Sequence, residues 1–82
     1  MTPITIVLAD DHKVVTTSLT AYLRSFPEMQ VLGVAPSGEA LLQSIAAWRP
    51  QILLLDLLMP GGIDGVETAR RMQKVAPDVR IN

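Results

Sequence analysis

The chain has 82 residues, which suits one small domain, and its 49% hydrophobic against 18% charged residues indicate a packed core rather than disorder. The absence of cysteine excludes disulfides, thiolate metal sites and a thiol nucleophile. The net charge of −1, without a basic block, argues against direct binding to nucleic acid or a membrane surface. There is no signal-like N-terminus and no apolar run near the roughly 18 residues of a membrane span, so we expect a cytoplasmic domain.

Short apolar runs alternate with longer amphipathic segments along the chain. In chain order, the spacing predicts a strand at residues 4–9, a helix at 14–26, a strand at 29–35, a helix at 38–48, a strand at 52–57, a helix at 65–75 and the start of a fourth strand at 79–82. Near-continuous apolar runs are typical of strands that are covered on both faces. Pro27 and Pro50 end the first two helices.

Polar residues mark where two of the helices begin, and apolar spacing marks the faces that turn inward. Ser37 is a predicted N-cap, and Asp64 followed by Glu67 resembles a variant capping box. The predicted inward residues are Val15, Leu19, Tyr22, Leu23 and Phe26 in the first helix, Leu41, Leu42, Ile45 and Trp48 in the second, and Val66, Ala69 and Met72 or Val75 in the third.

The alternation of strands and helices predicts an α/β domain with right-handed crossovers and a parallel sheet. In such open sheets, ligands bind beyond the carboxyl ends of the strands. Asp10 and Asp11 end the first strand, and Asp56 lies at the end of the third. If those two strands are neighbours, three carboxylates meet at one edge of the sheet.

Mutual repulsion makes such a group of carboxylates unfavourable unless protons or a cation relieve it. Oxygen ligands without cysteine favour a hard divalent cation, and Mg²⁺ is the prime candidate. A carboxylate beside such an ion can also be a nucleophile toward phosphorus, forming an aspartyl phosphate. Asp10 or Asp11 alone is equally well explained as a turn former or helix cap, but Asp56, with apolar neighbours on both sides, is not.

A histidine after the acidic pair and two glycines after Asp56 can each be interpreted as functional or as purely structural. His12 follows the acidic pair and is compatible with a metal or general-base role, although an isolated histidine is more often a surface residue of the first helical turn. Gly61 and Gly62 match neither a P-loop nor a dinucleotide fingerprint, so loop flexibility is the better interpretation.

Three segments together carry a resemblance to a known family: VLADDH at 7–12, LLLDLLMPGGIDG at 53–65 and VAPDVRI at 75–81. The chain resembles the receiver domain of two-component response regulators over essentially its whole length. The residues of these motifs are most similar to those of the subgroup that usually carries a LuxR-type helix-turn-helix output domain. The resemblance therefore implies a flavodoxin-like sheet with strand order 2-1-3-4-5, of which this chain holds strands 1–3 and the start of strand 4.

Carried over to these positions, the resemblance assigns roles to individual residues. Asp56 is the implied phosphoacceptor, taking a phosphoryl group from a sensor histidine kinase. Asp10, Asp11 and Asp56 hold the implied Mg²⁺, and the backbone carbonyl of Leu58 completes the protein ligands. Pro60 shapes the following loop, which is one residue longer than the commonest family loop. A haloacid-dehalogenase-type phosphohydrolase is disfavoured, because it needs a second aspartate where Leu58 stands.

The chain is expected to be a single partial receiver domain at residues 1–82 and not an independent enzyme. The family's Ser or Thr after strand four and Lys after strand five have no counterpart within these residues. An alternative is thus a switch-incompetent receiver fragment that acts as an interaction or dimerisation module. If the chain is complete, its short fourth strand predicts a poorly covered edge on strand three and a homodimer or larger assembly through it. The rival expectation is that these residues are part of a longer receiver. Direct DNA binding belongs to an output domain of the parent protein, which implies transcription regulation.

Overall fold

Strands and helices alternate throughout residues 2–82, which the computed structural model of the chain describes. The elements are β1 (Ile4–Ala9), α1 (Lys13–Arg24), β2 (Met29–Ala35), α2 (Gly38–Trp48), β3 (Ile52–Leu55), α3 (Gly65–Val75) and β4 (Arg80–Ile81). This order confirms the predicted α/β class. The third strand is two residues shorter than predicted, and the first helix starts one residue earlier and ends two residues earlier.

The strands form one parallel sheet with the order β2-β1-β3-β4. This order agrees with the flavodoxin-like arrangement that the resemblance implies. β1 pairs with β3 from Ile6–Ile52 to Ala9–Leu55, so both strands end at the same level. Residues that directly follow Ala9 and Leu55 therefore emerge side by side at one edge of the sheet.

Each face of the sheet carries its own apolar cluster. On the α1 face, buried residues of β1, β2 and the helix itself pack together; these are Ile6, Leu8, Leu23 and Val31. On the opposite face, α2 and α3 cover alternate strand residues; the buried set is Val7, Ala9, Ala35, Leu41, Ile45, Leu53 and Met72. This division follows from the two-residue period of a strand, which sends neighbouring side chains to opposite faces.

Both predicted N-caps are present. The Ser37 hydroxyl accepts a hydrogen bond from the Ala40 N–H at 3.1 Å, and the Asp64 carboxylate accepts one from the Glu67 N–H at 2.8 Å. The Glu67 carboxylate does not reach back to the cap, because it pairs with Arg70 and Arg71 on its own helix. Asp64 is thus a simple N-cap rather than half of a reciprocal capping box.

The predicted inward faces of α1 and α3 are partly wrong. Val15 is 48% exposed, and Tyr22 and Val66 are each 62% exposed. In α1 the inward row is Thr16, Leu19, Thr20 and Leu23, at helical spacing. In α3 the buried residues are Gly65, Thr68 and Met72. Leu19, Leu23 and Met72 lie inward as predicted. The buried Thr16 and Thr68 were missed, because hydropathy favoured the neighbouring valines.

The strand-three edge that was predicted to be exposed is in fact hydrogen-bonded to the last residues of the chain. The Arg80 N–H donates to the Gln51 carbonyl at 3.0 Å, the Asn82 N–H to the Leu53 carbonyl at 2.9 Å, and the Leu55 N–H to the Asn82 carbonyl at 2.9 Å. Three residues suffice because β3 itself is only four residues long. The structural premise for self-assembly through that edge is therefore wrong.

Among residues 2–82, no helix combines the length and apolarity that a membrane crossing requires.

Candidate functional site

Two aspartates are placed by the ends of neighbouring strands. The Asp10 N–H donates to the Ala35 carbonyl of β2 at 3.0 Å, and the Asp56 N–H donates to the Ala9 carbonyl of β1 at 2.9 Å. These bonds continue the parallel ladder for one residue beyond each strand. The backbone at Asp10 and Asp56 is therefore held by the sheet rather than by a mobile loop.

The three predicted carboxylates meet at this edge. Each of Asp10, Asp11, His12 and Asp56 offers a donor atom such that all four atoms lie within 4.8 Å of one another. The Asp10, Asp11 and Asp56 side chains retain 19%, 31% and 22% exposure. Partial exposure lowers the cost of holding three acidic groups together and leaves the site open to a small ligand.

His12 is drawn into the cluster, which the sequence did not reveal. Its Nδ1 lies 2.7 Å from Asp10 Oδ1, 3.0 Å from Asp11 Oδ1 and 3.5 Å from Asp56 Oδ2. The ring still keeps 61% exposure, so the surface interpretation is correct for its outer side only. The available signal was its position directly after the acidic pair, where α1 begins.

The close contacts shift two ionisation equilibria in opposite directions. A hydrogen bond to Asp10, followed by the charge of Asp11, raises the pKa of His12. For Asp10, partial burial opposes ionisation, but the hydrogen bonds from the His12 backbone N–H and ring outweigh it and lower the pKa. Both shifts favour an imidazolium facing a carboxylate.

The loop after β3 is fixed to the acidic edge. The Leu58 N–H donates to Asp56 Oδ1 at 3.0 Å, which orients the carboxylate. The Leu58 side chain is 80% exposed, whereas the next residue, Met59, is only 3% exposed and anchors the loop. The predicted carbonyl ligand, Leu58, therefore belongs to a segment that is tied to Asp56 by its own N–H.

Farther along the loop, Glu39 of α2 makes a contact that sequence reasoning missed. The Ile63 N–H donates to Glu39 Oε2 at 2.9 Å, and this bond lowers the pKa of Glu39. Gly61 and Gly62 have φ angles of 86° and 67°, which glycine adopts readily. A side chain at Gly62 would overlap the Glu39 carboxylate. Nothing in the sequence marked Glu39, since it lies 24 residues from its partner.

The donor set suits a hard divalent cation. Three carboxylates without a cysteine are oxygen ligands that Mg²⁺ accepts, and partial exposure leaves room for the waters that Mg²⁺ keeps. The residues of the site therefore fit a magnesium ion.

Comparison with known proteins agrees with this geometry. The family model for the response regulator receiver domain matches residues 6–82. The chain is 37% identical over 78 residues to response regulator GacA of Pseudomonas syringae pv. syringae (strain B728a), covering 95% of this chain and 36% of GacA. It is 37% identical over 76 residues to oxygen regulatory protein NreC of Staphylococcus epidermidis (strain ATCC 35984), covering 93% of this chain and 35% of NreC.

Among solved structures, the isolated REC domain of RcsB from Salmonella enterica serovar Typhimurium, solved with the phosphomimetic BeF₃⁻, superposes with a TM-score of 0.87 at 25% identity. That match covers 96% of this chain and 59% of the RcsB domain. The chain thus spans about a third of the length of the curated relatives it matches, at 36% of GacA. The strand order, the acidic edge and the family match over residues 6–82 lead to one conclusion: the chain belongs to the response regulator receiver domain family.

Proposed function

We propose that Asp56 accepts a phosphoryl group while Asp10, Asp11, Asp56 and the backbone carbonyl of Leu58 hold Mg²⁺. Receiver domains are phosphoacceptor modules that generally bind Mg²⁺ at an acidic cluster. The observation that carries the proposal is the convergence of the three carboxylates within 4.8 Å at the ends of β1 and β3. Asp56 stands at the acceptor position that the receiver family implies, and the Leu58 N–H orients its carboxylate.

The transfer step follows from the chemistry of the groups. A carboxylate oxygen of Asp56 attacks the phosphorus of a phosphohistidine, the new P–O bond forms, and the P–N bond breaks. The leaving imidazole nitrogen keeps the bonding electron pair and takes up a proton from solvent. Bound Mg²⁺ supplies charge neutralisation for the phosphoryl oxygens. Asp10 and Asp11 keep the ion beside the acceptor, and the ladder bond from the Asp56 N–H to Ala9 keeps the acceptor beside the ion.

The partners of the whole protein follow from the family. We propose a sensor histidine kinase as the phosphoryl donor, an output domain that regulates transcription in the parent protein, and a cytoplasmic location. Residues 1–82 act in this scheme as one receiver unit and not as an independent enzyme. The similarity to GacA and NreC, which are named as regulators, supports this assignment.

The alternative, a switch-incompetent interaction fragment, is not favoured. The dimerisation part of this alternative drew on an open edge on β3, and that edge is hydrogen-bonded to residues 80–82. The family match and the intact acidic edge both favour the phosphoacceptor function.

The test is transfer from a small phosphoryl donor. With acetyl phosphate and Mg²⁺, the chain is expected to gain one phosphoryl group, detected by intact mass, and Asp56→Asn is expected to gain none. Asp78→Asn is the matched control. This exposed aspartate precedes β4 and so lies near the amino-terminal ends of the parallel strands, away from the three acidic residues of the site. Phosphorylation that persists in Asp56→Asn, or that is independent of Mg²⁺, would contradict the proposal.

A further inference from the structure

We infer that His12 is a nitrogen ligand of the metal site and makes it favour borderline divalent cations, such as Zn²⁺, more strongly than the carboxylates alone would. This inference rests on the proposed function, because it requires the acidic edge to bind a metal ion. It adds a residue outside the oxygen ligand set and a cation preference that follows from its chemistry.

The distances around His12 Nδ1 are those of a ligand position. Donor atoms bound about 2.0–2.1 Å from one ion lie roughly 2.8–3.4 Å from their neighbours in octahedral or tetrahedral arrangements. Nδ1 lies 2.7, 3.0 and 3.5 Å from oxygens of Asp10, Asp11 and Asp56. The four donor atoms also stay within 4.8 Å of one another, so one ion can touch all of them after small side-chain rotations.

The way His12 is attached to the chain leaves its ring available. His12 is the N-cap residue of α1, with an extended backbone, yet its side chain makes no capping hydrogen bond. Its backbone N–H instead donates to Asp10 Oδ1 at 2.8 Å. This bond holds the His12 main chain close to Asp10. The ring nitrogen Nδ1, which hydrogen-bonds to Asp10 Oδ1 at 2.7 Å, can exchange that bond for a cation without breaking a helix cap.

Imidazole changes the cation preference of an oxygen site. Nitrogen ligands suit Zn²⁺, Ni²⁺ and related ions, whereas Mg²⁺ prefers oxygen. The chain has one histidine and no cysteine, so His12 supplies its only side-chain ligand of this kind. Its removal should therefore weaken Zn²⁺ binding much more than Mg²⁺ binding.

The experiment compares the two cations by isothermal titration at about pH 8, above the ordinary pKa of imidazole, with every variant measured at the same pH. In His12→Ala we expect the Zn²⁺ affinity to fall at least about tenfold and the Mg²⁺ affinity to change less than about threefold. His12→Asn should behave in the same way and keep a residue that suits an N-cap. Lys13→Ala, which removes a neighbouring positive charge, is the control for long-range electrostatics and should leave the Zn²⁺ to Mg²⁺ ratio unchanged.

Nuclear magnetic resonance provides a second readout. Because the chain has a single histidine, its ring ¹⁵N signals report only on this site. Zn²⁺ is expected to shift the Nδ1 signal in the wild type but not in Asp56→Asn, where the cluster loses a charged ligand.

Three outcomes would overturn the inference. Equal loss of both affinities in His12→Ala would make the histidine a structural residue, and a gain for both cations would make it a competitor of the ion. An Nδ1 signal that Zn²⁺ leaves in place would exclude direct ligation. If the wild type bound neither cation, the proposed function would fail together with the inference. If the wild type bound Mg²⁺ and any of the three outcomes above were found, only the inference would fail.

Discussion

At the residue scale, Asp56 shows how an apolar strand can deliver a carboxylate to the surface. The apolar run from Ile52 to Leu55 is part of the sheet, but Asp56 is the first residue beyond it. Its side chain keeps 22% exposure and accepts the Leu58 N–H. The large cost of burying an unpaired charge therefore does not arise.

Also at the residue scale, the pKa of Glu39 predicts how the loop after Asp56 responds to acid. The Ile63 N–H bond holds the pKa of Glu39 below its ordinary value of 4.5. A lowered folded-state pKa means that the stabilising contact is fully present above the ordinary value and is lost as pH falls through the lowered one. We expect the Ile63 amide resonance to follow a titration with a midpoint below 4.5.

Glu39→Gln is the control for that titration, because it retains the shape of the side chain without the titrating group. The pH-dependent movement of the Ile63 signal should vanish in this variant. A midpoint above the ordinary value in the wild type, or an unchanged titration in Glu39→Gln, would disprove the assignment.

At the element scale, the start of α3 is packed directly under the acceptor. A Cβ atom at Gly65 would overlap the Asp56 carbonyl oxygen and the Leu57 Cα. Asp64 caps the helix at the same point. The helix therefore approaches the end of β3 closely only because its first residue has no side chain.

This contact predicts different effects for substitutions of two glycines, one at the start of α3 and one in the loop before it. Gly65→Ala is expected to cost about 2–3 kcal/mol, because backbone must move to relieve the overlap, and to slow phosphorylation of Asp56. Gly61→Ala, whose Cβ would enter open space at a φ of 86°, should cost about 1 kcal/mol from backbone strain alone and leave phosphorylation nearly intact. Urea unfolding and acetyl phosphate labelling measure the two effects. Equal effects of the two substitutions would refute the close approach.

At the scale of the whole molecule, the sheet separates two small cores, and the one under α2 and α3 supports the acidic edge. Ala9 and Leu53, whose strands lead to Asp10 and Asp56, belong to that core together with Met72. For a domain of 82 residues, total stability is of order 4–12 kcal/mol. A single large cavity in this core therefore threatens the fold and the site together.

Two substitutions on α3 test this division. Met72→Ala removes a side chain with 0% exposure and is expected to cost about 2–5 kcal/mol. Val66→Ala, on the 62% exposed side of the same helix, should stay within about 0.5 kcal/mol. Denaturant midpoints measure both changes in the free energy of unfolding. A large loss of stability in Val66→Ala would mean that Val66 is buried, as hydropathy predicted.

Features that depend on local chemistry could be predicted from the amino-acid order. Strand runs, the caps at Ser37 and Asp64, and the carboxylates that follow β1 and β3 were all predictable, because each rests on residues a few positions apart. The alternation of elements then implied a parallel sheet and one edge for the three aspartates. The site was therefore foreseeable as far as its acidic members.

Features that depend on contacts between distant residues emerged only from the folded arrangement. Thr16 and Thr68 are buried where hydropathy pointed to Val15 and Val66, because packing against the sheet selects helix faces by size as well as polarity. The β3 edge is closed by residues 80–82, and Glu39 meets Ile63 across 24 residues. His12 joined the site because three carboxylates attract an imidazole, and that attraction exists only once the sheet has brought the strand ends together.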